Sequence, residues 1–231
     1  MSDPFGRAIR DHYRGERSEP LLDRDGDDVR EHRIEQWYFG DHEEDAWRDQ
    51  WIEGPVLDMG AGAGRDALYY QARFETVAIE VSDHLVETMR DRGVEDARRA
   101  DMFALRDHFD RDRFRSAHAK GTQVGLAGSM AAVREFLADL AYVTTPDATT
   151  ILDNYAPELD ATSDAFGYRE DPTHGLAYRV YHLVYEDEVG DTLLFRLFSV
   201  DRLREATIGT PWEVVATNYG DVQWRAALEK Q

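Results

Sequence analysis

The sequence predicts an α/β protein built on a mostly parallel sheet. From residue 55 onward, short apolar runs alternate with amphipathic runs, and a glycine-rich turn joins the first two of them. Continuous apolar runs are typical of strands buried on both faces, and amphipathic runs are typical of the helices that cover such strands. We therefore predict an α/β domain over residues 54–231, preceded by a separate N-terminal segment, 1–53.

The first strand and helix of this domain are joined by three glycines at alternate positions. The predicted strand is 56–58 and the predicted helix is 65–73, with Gly60, Gly62 and Gly64 between them. Glycine lets a ligand lie directly against the backbone, and a helix start directs unpaired N–H groups at it. The turn therefore predicts a nucleotide-like cofactor. The third glycine of the dinucleotide fingerprint is replaced by arginine, and no Gly-Lys-Ser/Thr is present, so neither NAD nor a P-loop nucleotide fits.

The same alternation predicts the remaining elements in order. Ser82 is a suitable N-cap and Asp83 suits the helix dipole, so a helix begins there. Two later strands separated by a turn-like loop predict a hairpin. The predicted helices cover 82–93, 129–142 and 199–206, and the predicted strands cover 76–80, 97–100, 114–119, 149–153, 177–186, 192–198, 212–217 and 222–228.

Residues 1–53 are polar and acidic and contain no strand-like run. We predict a helical segment with helices over 5–13 and 46–52 and helix or loop over 31–39. Its aromatic residues, Tyr38 among them, are expected to pack as core or as a lid over a bound ligand. Residues 155–198 are predicted to be an insertion on the substrate side of the domain.

The charge is unusual, because 47 acidic residues oppose 27 basic ones and only Lys120 and Lys230 are lysines. This composition resembles that of salt-in halophiles and predicts a halophilic archaeal source, since molar salt screens like charges. The chain has no cysteine and no apolar run near the roughly 20 residues of a membrane span. Its start lacks a signal-peptide pattern, so we expect a cytoplasmic protein without a membrane partner. The eight histidines are scattered, so we expect no metal site.

Acids end the first three predicted strands, at Asp58, Glu80 and Asp101. Ligands of parallel sheets bind beyond the carboxyl ends of the strands. Together with the glycine turn, these residues resemble a class I S-adenosylmethionine-dependent methyltransferase of the small-molecule, glycine-N-methyltransferase-like type. The resemblance implies a doubly wound, Rossmann-like sheet of seven strands in the order 3-2-1-4-5-7-6, with the last strand antiparallel and a hairpin inserted.

The resemblance also implies which residues bind S-adenosylmethionine. The turn and the acid before it would hold the methionine moiety, Glu80 would accept from both ribose hydroxyls, and Asp101 would accept from the adenine amino group. Residues 119–123 would line the methyl-transfer site. With Tyr38 added from the N-terminal segment as a residue that closes over the ligand, the candidate cofactor residues are Tyr38, Asp58, Gly60, Ala61, Gly62, Gly64, Glu80, Val81, Asp101, Met102 and Lys120.

A general base is optional for methyl transfer, and the sequence offers His118, Lys120 and His182 as candidates. A core role for His118 and hairpin packing for His182 are the alternatives. The expected reaction is methyl transfer to an N, O or C atom of a small molecule by a monomer or homodimer. A nucleic-acid or protein methyltransferase and a non-catalytic S-adenosylmethionine-binding module stay open. Nucleic acid is disfavoured because no Asp/Asn-Pro-Pro-aromatic run follows the fourth predicted strand.

Overall fold

A computed structural model describes residues 2–42 and 45–231 of the chain. In these ranges six α-helices and thirteen β-strands form. The helices are α1 Pro4–Arg14, α2 Ala46–Asp49, α3 Arg65–Gln71, α4 Asp83–Asp91, α5 Met130–Val143 and α6 Val200–Thr207. The strands are β1 Leu22–Asp25, β2 Asp28–Glu31, β3 Val56–Met59, β4 Thr76–Glu80, β5 Ala97–Arg99, β6 Phe114–Ala119, β7 Thr144–Tyr155, β8 Tyr168–Glu170, β9 Leu176–Tyr185, β10 Glu188–Val189, β11 Leu193–Phe198, β12 Trp212–Tyr219 and β13 Gln223–Lys230.

The main sheet has seven strands in the order β5-β4-β3-β6-β7-β13-β12. Strands β3 to β7 run parallel to one another, whereas β13 is antiparallel to both of its neighbours. Counted from the glycine turn, this is the order 3-2-1-4-5-7-6 with the last strand antiparallel. The predicted fold class and strand order are therefore confirmed.

Alternate residues of the central strands pack into two separate cores. On one face, Leu57 and Met59 join a large cluster with α5, α6 and Trp224. On the other face, Val56 packs with Tyr70 of α3 in a smaller cluster. The indole nitrogen of the buried Trp224 donates to the carbonyl of Phe198 at 2.6 Å, so its one polar atom is satisfied. Burial on both faces explains why these strands are continuous apolar runs in the sequence.

A second sheet of six strands lies over the first. Its path is β10-β9-β1-β2, and β8 and β11 also pair with β9. The inserted hairpin is therefore present as β9 and β11, and it is extended by strands from the N-terminal segment. Leu22 of β1 pairs with Glu31 of β2 and with Val184 of β9.

The prediction that residues 1–53 contain no strand was wrong. Strands β1 and β2 are joined by a two-residue turn in which Gly26 has a φ of +60°. Strand β2 is exposed throughout, so it has no alternation of apolar and polar residues from which a strand could be inferred. Pairing with the distant strand β9, rather than local pattern, selects the extended conformation here.

Other boundaries differ from the predictions in smaller ways. Helix α1 and strands β4 and β6 were predicted closely, but 31–39 forms a short π-helical turn, Glu35–Phe39. Strand β7 begins five residues earlier than predicted, because a bulge opposite β6 absorbs the turn-like residues around Pro146. Among the described residues, no helix is both long enough and apolar enough to cross a membrane.

Candidate functional site

A cavity of about 1200 Å³ lies between the carboxyl ends of β3, β4 and β6 and the inner face of β1, β9 and β11. We call it the central cavity. Eight of the residues predicted to bind the cofactor line it: Tyr38, Asp58, Gly60, Ala61, Gly62, Glu80, Val81 and Lys120. The sequence therefore located the cavity wall contributed by the main sheet.

The glycine turn places bare backbone at the base of the central cavity. Gly60, Gly62 and Gly64 all have positive φ, which favours glycine. A Cβ added to Gly62 would lie 3.0 Å from Cδ1 of Tyr38, and one added to Gly64 would lie 2.7 Å from Cγ2 of Val94. Gly62 therefore lets the Tyr38 ring lie directly against the turn, whereas Gly64 lets α3 pack closely against its neighbours and does not line the cavity.

Glu80 ends β4 with both carboxylate oxygens held by the backbone. Its Oε1 accepts from the amide of Gly62 at 2.8 Å and its Oε2 from the amide of Val81 at 3.1 Å. The residue is 9% exposed, and burial raises its pKa to about 7 although both amides act against that shift. Each oxygen keeps a second lone pair, so the carboxylate can accept two further hydrogen bonds from a ligand in the cavity.

Asp58 and His118 form a buried pair with unsatisfied atoms. Oδ1 of Asp58 lies 3.5 Å from Nε2 of His118, but Oδ2 and both ring nitrogens have no hydrogen-bond partner. Burial raises the pKa of Asp58 well above its usual value and lowers that of His118 to about 3. Asp58 lines the central cavity and His118 does not. The Asp58 carboxyl is therefore a buried acceptor to which a ligand can donate.

A cluster of charges follows the glycine turn on α3. Asp66 accepts from His42 at 3.0 Å and from Arg48 at 3.1 Å, and Lys120 Nζ lies 3.3 Å from its Oδ2. Burial by itself would raise the pKa of Asp66, but these three neighbours outweigh it and hold that pKa far below its usual value. Burial lowers the pKa of Lys120, and Asp66 opposes the shift. Lys120 is thus an anchored cation at the cavity edge.

The loop after β6 is shaped by a buried carboxylate at the end of β7. Asp153 accepts from the amides of Gly121, at 2.9 Å, and Thr122. Both residues have positive φ, which these two hydrogen bonds help to hold. Of the predicted range 119–123, residues 120–123 line the central cavity and Ala119 does not.

Three residues of the N-terminal segment form a hydrogen-bonded chain that the sequence did not reveal. His32 Nδ1 lies 2.8 Å from Asp23 Oδ1, and His32 Nε2 lies 3.0 Å from the Tyr38 hydroxyl. Because the carboxylate can only accept, Nδ1 carries a proton, and in the neutral imidazole Nε2 then accepts from Tyr38. Burial raises the pKa of Tyr38 well above its usual value. All three residues line the cavity, so a proton taken up at Tyr38 can pass to His32.

Three other predicted residues lie outside the central cavity. Asp101 is exposed, and its carboxylate accepts from the amide of Phe103 at 2.8 Å. Met102 is buried in the large core cluster. On β9, Tyr181 and Leu183 line the cavity, and because side chains alternate along a strand, the side chain of His182 lies on the opposite face. The structure therefore does not bring His182 to the cavity as a base.

The strand order of the main sheet and the glycine turn after β3 define a class I methyltransferase fold. Solved structures agree. An S-adenosylmethionine-dependent methyltransferase from Bacteroides fragilis, in complex with S-adenosyl-L-homocysteine, is 23% identical with a TM-score of 0.81, covering 99% of this chain and 95% of that one. At this identity the similarity establishes the fold.

Two more distant structures share the fold. A 1,6-didemethyltoxoflavin-N1-methyltransferase from Burkholderia thailandensis is 18% identical with a TM-score of 0.52, covering 76% of this chain and 70% of that one. An amino pentose methyltransferase from Micromonospora echinaspora is 16% identical with a TM-score of 0.52, covering 76% and 83%. No protein-family model and no curated protein matches the sequence.

Proposed function

We propose that the protein is an S-adenosylmethionine-dependent methyltransferase that acts on a small molecule. One observation carries the proposal. The glycine turn, the Glu80 carboxylate that is bonded to it and the Asp58 carboxyl with its unsatisfied oxygen line the same cavity. These groups fit a ligand with a cationic amine, a chain that lies against backbone, and a vicinal diol.

Each part of the wall has a matching part of S-adenosylmethionine. Asp58 would accept from the methionine ammonium group, and Glu80 would accept from the two ribose hydroxyls. Val81 is 59% exposed beside Glu80, so it offers apolar surface to the adenine ring. Asp101 and Met102 remain proposed for the far edge of the adenine, although they do not line the cavity.

The bound sulfonium would supply an electrophilic methyl group, so the main tasks of the protein are alignment and the exclusion of water. The second sheet and α1 cover the cavity from the side opposite the glycine turn and would keep water out. As the methyl group moves, the acceptor's proton would pass to the Tyr38 oxygen while the Tyr38 proton passes to His32. Asp23 would stabilise the resulting imidazolium.

The shape of the cavity favours a small acceptor. At about 1200 Å³ it exceeds the ~300–1,000 Å³ usual for one ligand, so it can hold a cofactor and a small acceptor together. Two of the similar structures belong to enzymes named for small acceptors, a toxoflavin precursor and an amino pentose. We also propose that the protein works in a salt-rich cytoplasm.

Calorimetric titration with S-adenosylhomocysteine and S-adenosylmethionine in molar KCl tests the proposal. We expect both to bind, and Glu80→Gln to weaken binding about 10- to 100-fold, because hydrogen bonds to a charged group are lost. Glu213→Gln is the matched control, since Glu213 is exposed on the far edge strand β12. Absence of binding in folded protein would refute the proposal.

Transfer of a labelled methyl group then separates the alternatives. The protein is incubated with labelled S-adenosylmethionine and, in parallel, with small metabolites, RNA and a protein fraction. Label in the small metabolites supports the proposal. Label in RNA or protein favours the macromolecular alternatives, and cofactor binding without any transfer favours a non-catalytic module.

A further inference from the structure

The inner face of β9 carries one charged residue among apolar and aromatic ones. Residues alternate along this strand, and its buried members are Ala177, Arg179, Tyr181, Leu183 and Tyr185. Arg179 is 9% exposed and lines the central cavity together with Tyr181 and Leu183. Burying a charged side chain at such an inward-facing position costs free energy unless the charge is paired.

The surroundings of the Arg179 guanidinium are aromatic and uncharged. Its carbon lies 4.9 Å from the ring centre of Tyr155, 5.0 Å from that of Tyr181 and 5.9 Å from that of Phe195. Its Nε donates to the carbonyl of Phe166 at 2.8 Å, and the Tyr181 hydroxyl is a second neutral partner. In residues 2–42 and 45–231, no carboxylate lies within 4.0 Å of it.

Among the described arginines and lysines that line the cavity, Arg179 differs because it is buried without a carboxylate partner. Arg30 and Arg33 also have no carboxylate within 4.0 Å among the described residues, but both are exposed to solvent. Arg99 lies 2.9 Å from Asp83, and Lys120 lies 3.3 Å from Asp66. Asp23 on β1 raises the pKa of the neighbouring Tyr181, but its carboxylate is already hydrogen-bonded to His32. With a net charge of −20, the protein as a whole repels anions. A buried cation without a carboxylate partner in this cavity is therefore suited to an anionic ligand.

We propose that Arg179 binds an anionic group of the methyl acceptor, either a carboxylate or a phosphate. The planar guanidinium forms paired hydrogen bonds to both groups, and the aromatic rings restrict its orientation. Arg179 lies on β9 of the second sheet, so the anion would lie on that side of the cavity while the acceptor's reacting atom faces the glycine turn. This inference rests on the proposed function, and it names the acceptor class.

Ligand-observed NMR with simple probes tests the inference. Benzoate, acetate and inorganic phosphate are titrated into protein with and without S-adenosylhomocysteine at one KCl concentration, with benzamide as the neutral analogue of benzoate. We expect a carboxylate or phosphate to bind and benzamide to bind more weakly. Arg179→Met should weaken anion binding about 10- to 100-fold. Arg179→Lys should retain part of it, because the charge remains and the planar fork is lost.

The control for net charge is Arg169→Met, since Arg169 lies in the same sheet, is exposed and pairs with Asp25 at 2.7 Å. It should leave anion binding unchanged. Tighter binding of phosphate than of benzoate identifies a phosphorylated acceptor, and tighter binding of benzoate identifies an acceptor with a carboxylate. If Arg179→Met does not fold, the Arg179→Lys variant and the benzoate–benzamide comparison decide.

Equal binding of benzoate and benzamide without binding of phosphate, or equal binding of anions to wild type and Arg179→Met, would overturn the inference. So would a folded protein that binds none of the three anions. Binding of S-adenosylhomocysteine without any anion would leave the proposed function intact and refute only the acceptor class. Anion binding at Arg179 without any binding of S-adenosylhomocysteine would refute the proposed function and leave the anion site intact.

Discussion

The raised pKa of Glu80 predicts that cofactor binding depends on pH. In the free protein burial holds this pKa near 7, against a usual value of 4.5. Ribose hydroxyls that donate to the carboxylate favour its ionised form and therefore lower the pKa in the complex. Binding should thus release a proton below pH 7, and the affinity should fall as the pH falls.

The size of the effect follows from the pKa in the free protein. Below pH 7 the affinity should drop up to about tenfold per pH unit, until the pKa of the complex is reached. Between pH 8 and pH 5.5, the dissociation constant for S-adenosylhomocysteine should therefore rise about 30-fold if Glu80 stays ionised in the complex. Calorimetry in two buffers of different ionisation enthalpy measures both the affinity and the number of protons released.

Glu80→Gln removes the titrating group and supplies the control. This variant should bind more weakly at pH 8, and its affinity should change little between pH 8 and pH 5.5. A wild-type affinity that is flat across this range would refute the reasoning about Glu80. An equally steep slope in Glu80→Gln would assign the pH dependence to another group of the cavity.

Three further predictions concern the glycine turn, the charge cluster and salt. Gly62→Ala and Gly15→Ala both place an alanine at positive φ, and each should lower the free energy of unfolding by about 1–2 kcal/mol. Only Gly62→Ala should lose S-adenosylhomocysteine binding in calorimetry, because only its Cβ meets a ring in the cavity. Arg48→Met should lower the free energy of unfolding by about 3–5 kcal/mol at neutral pH, because it breaks a buried ion pair. The melting temperature should rise steeply from low salt to molar KCl, since the screening length shortens from about 10 Å at 0.1 M to about 3 Å at 1 M.

Each of these predictions has its own control. Equal loss of binding in the two glycine variants would contradict the steric argument. For Arg48→Met, the difference from wild type should shrink as the pH falls below 3.8, because the depressed pKa of Asp66 contributes stability only while Asp66 is ionised. Arg98→Met removes an exposed pair and should cost less than about 1 kcal/mol. A melting temperature independent of KCl would contradict the halophilic interpretation.

The main sheet and the cavity wall that it contributes were predictable because their signals are local. Strands buried on both faces need unbroken apolar runs, and a turn with three positive-φ residues needs glycine at those positions. Glu80 follows as the acid at the end of the second strand. The same reasoning could not decide where His118 points, because a histidine on a buried strand has the same pattern whether it faces a cavity or, as here, lies behind the wall.

The second sheet and the acceptor side of the cavity were decided only by tertiary structure. Strand β2 has no apolar face, and β1 is held by β9 through the pairing of Leu22 with Val184, which no local pattern records. That pairing brings Asp23 and His32 over the glycine turn and places them beside the face of β9 that carries Arg179. The sequence therefore determined the fold of the main sheet and the cavity wall at the carboxyl ends of its strands, where requirements are set by neighbouring residues. The hydrogen-bonded chain from Asp23 to Tyr38 and the position of Arg179 at the cavity depended on contacts between distant segments, and only the folded chain brings those segments together.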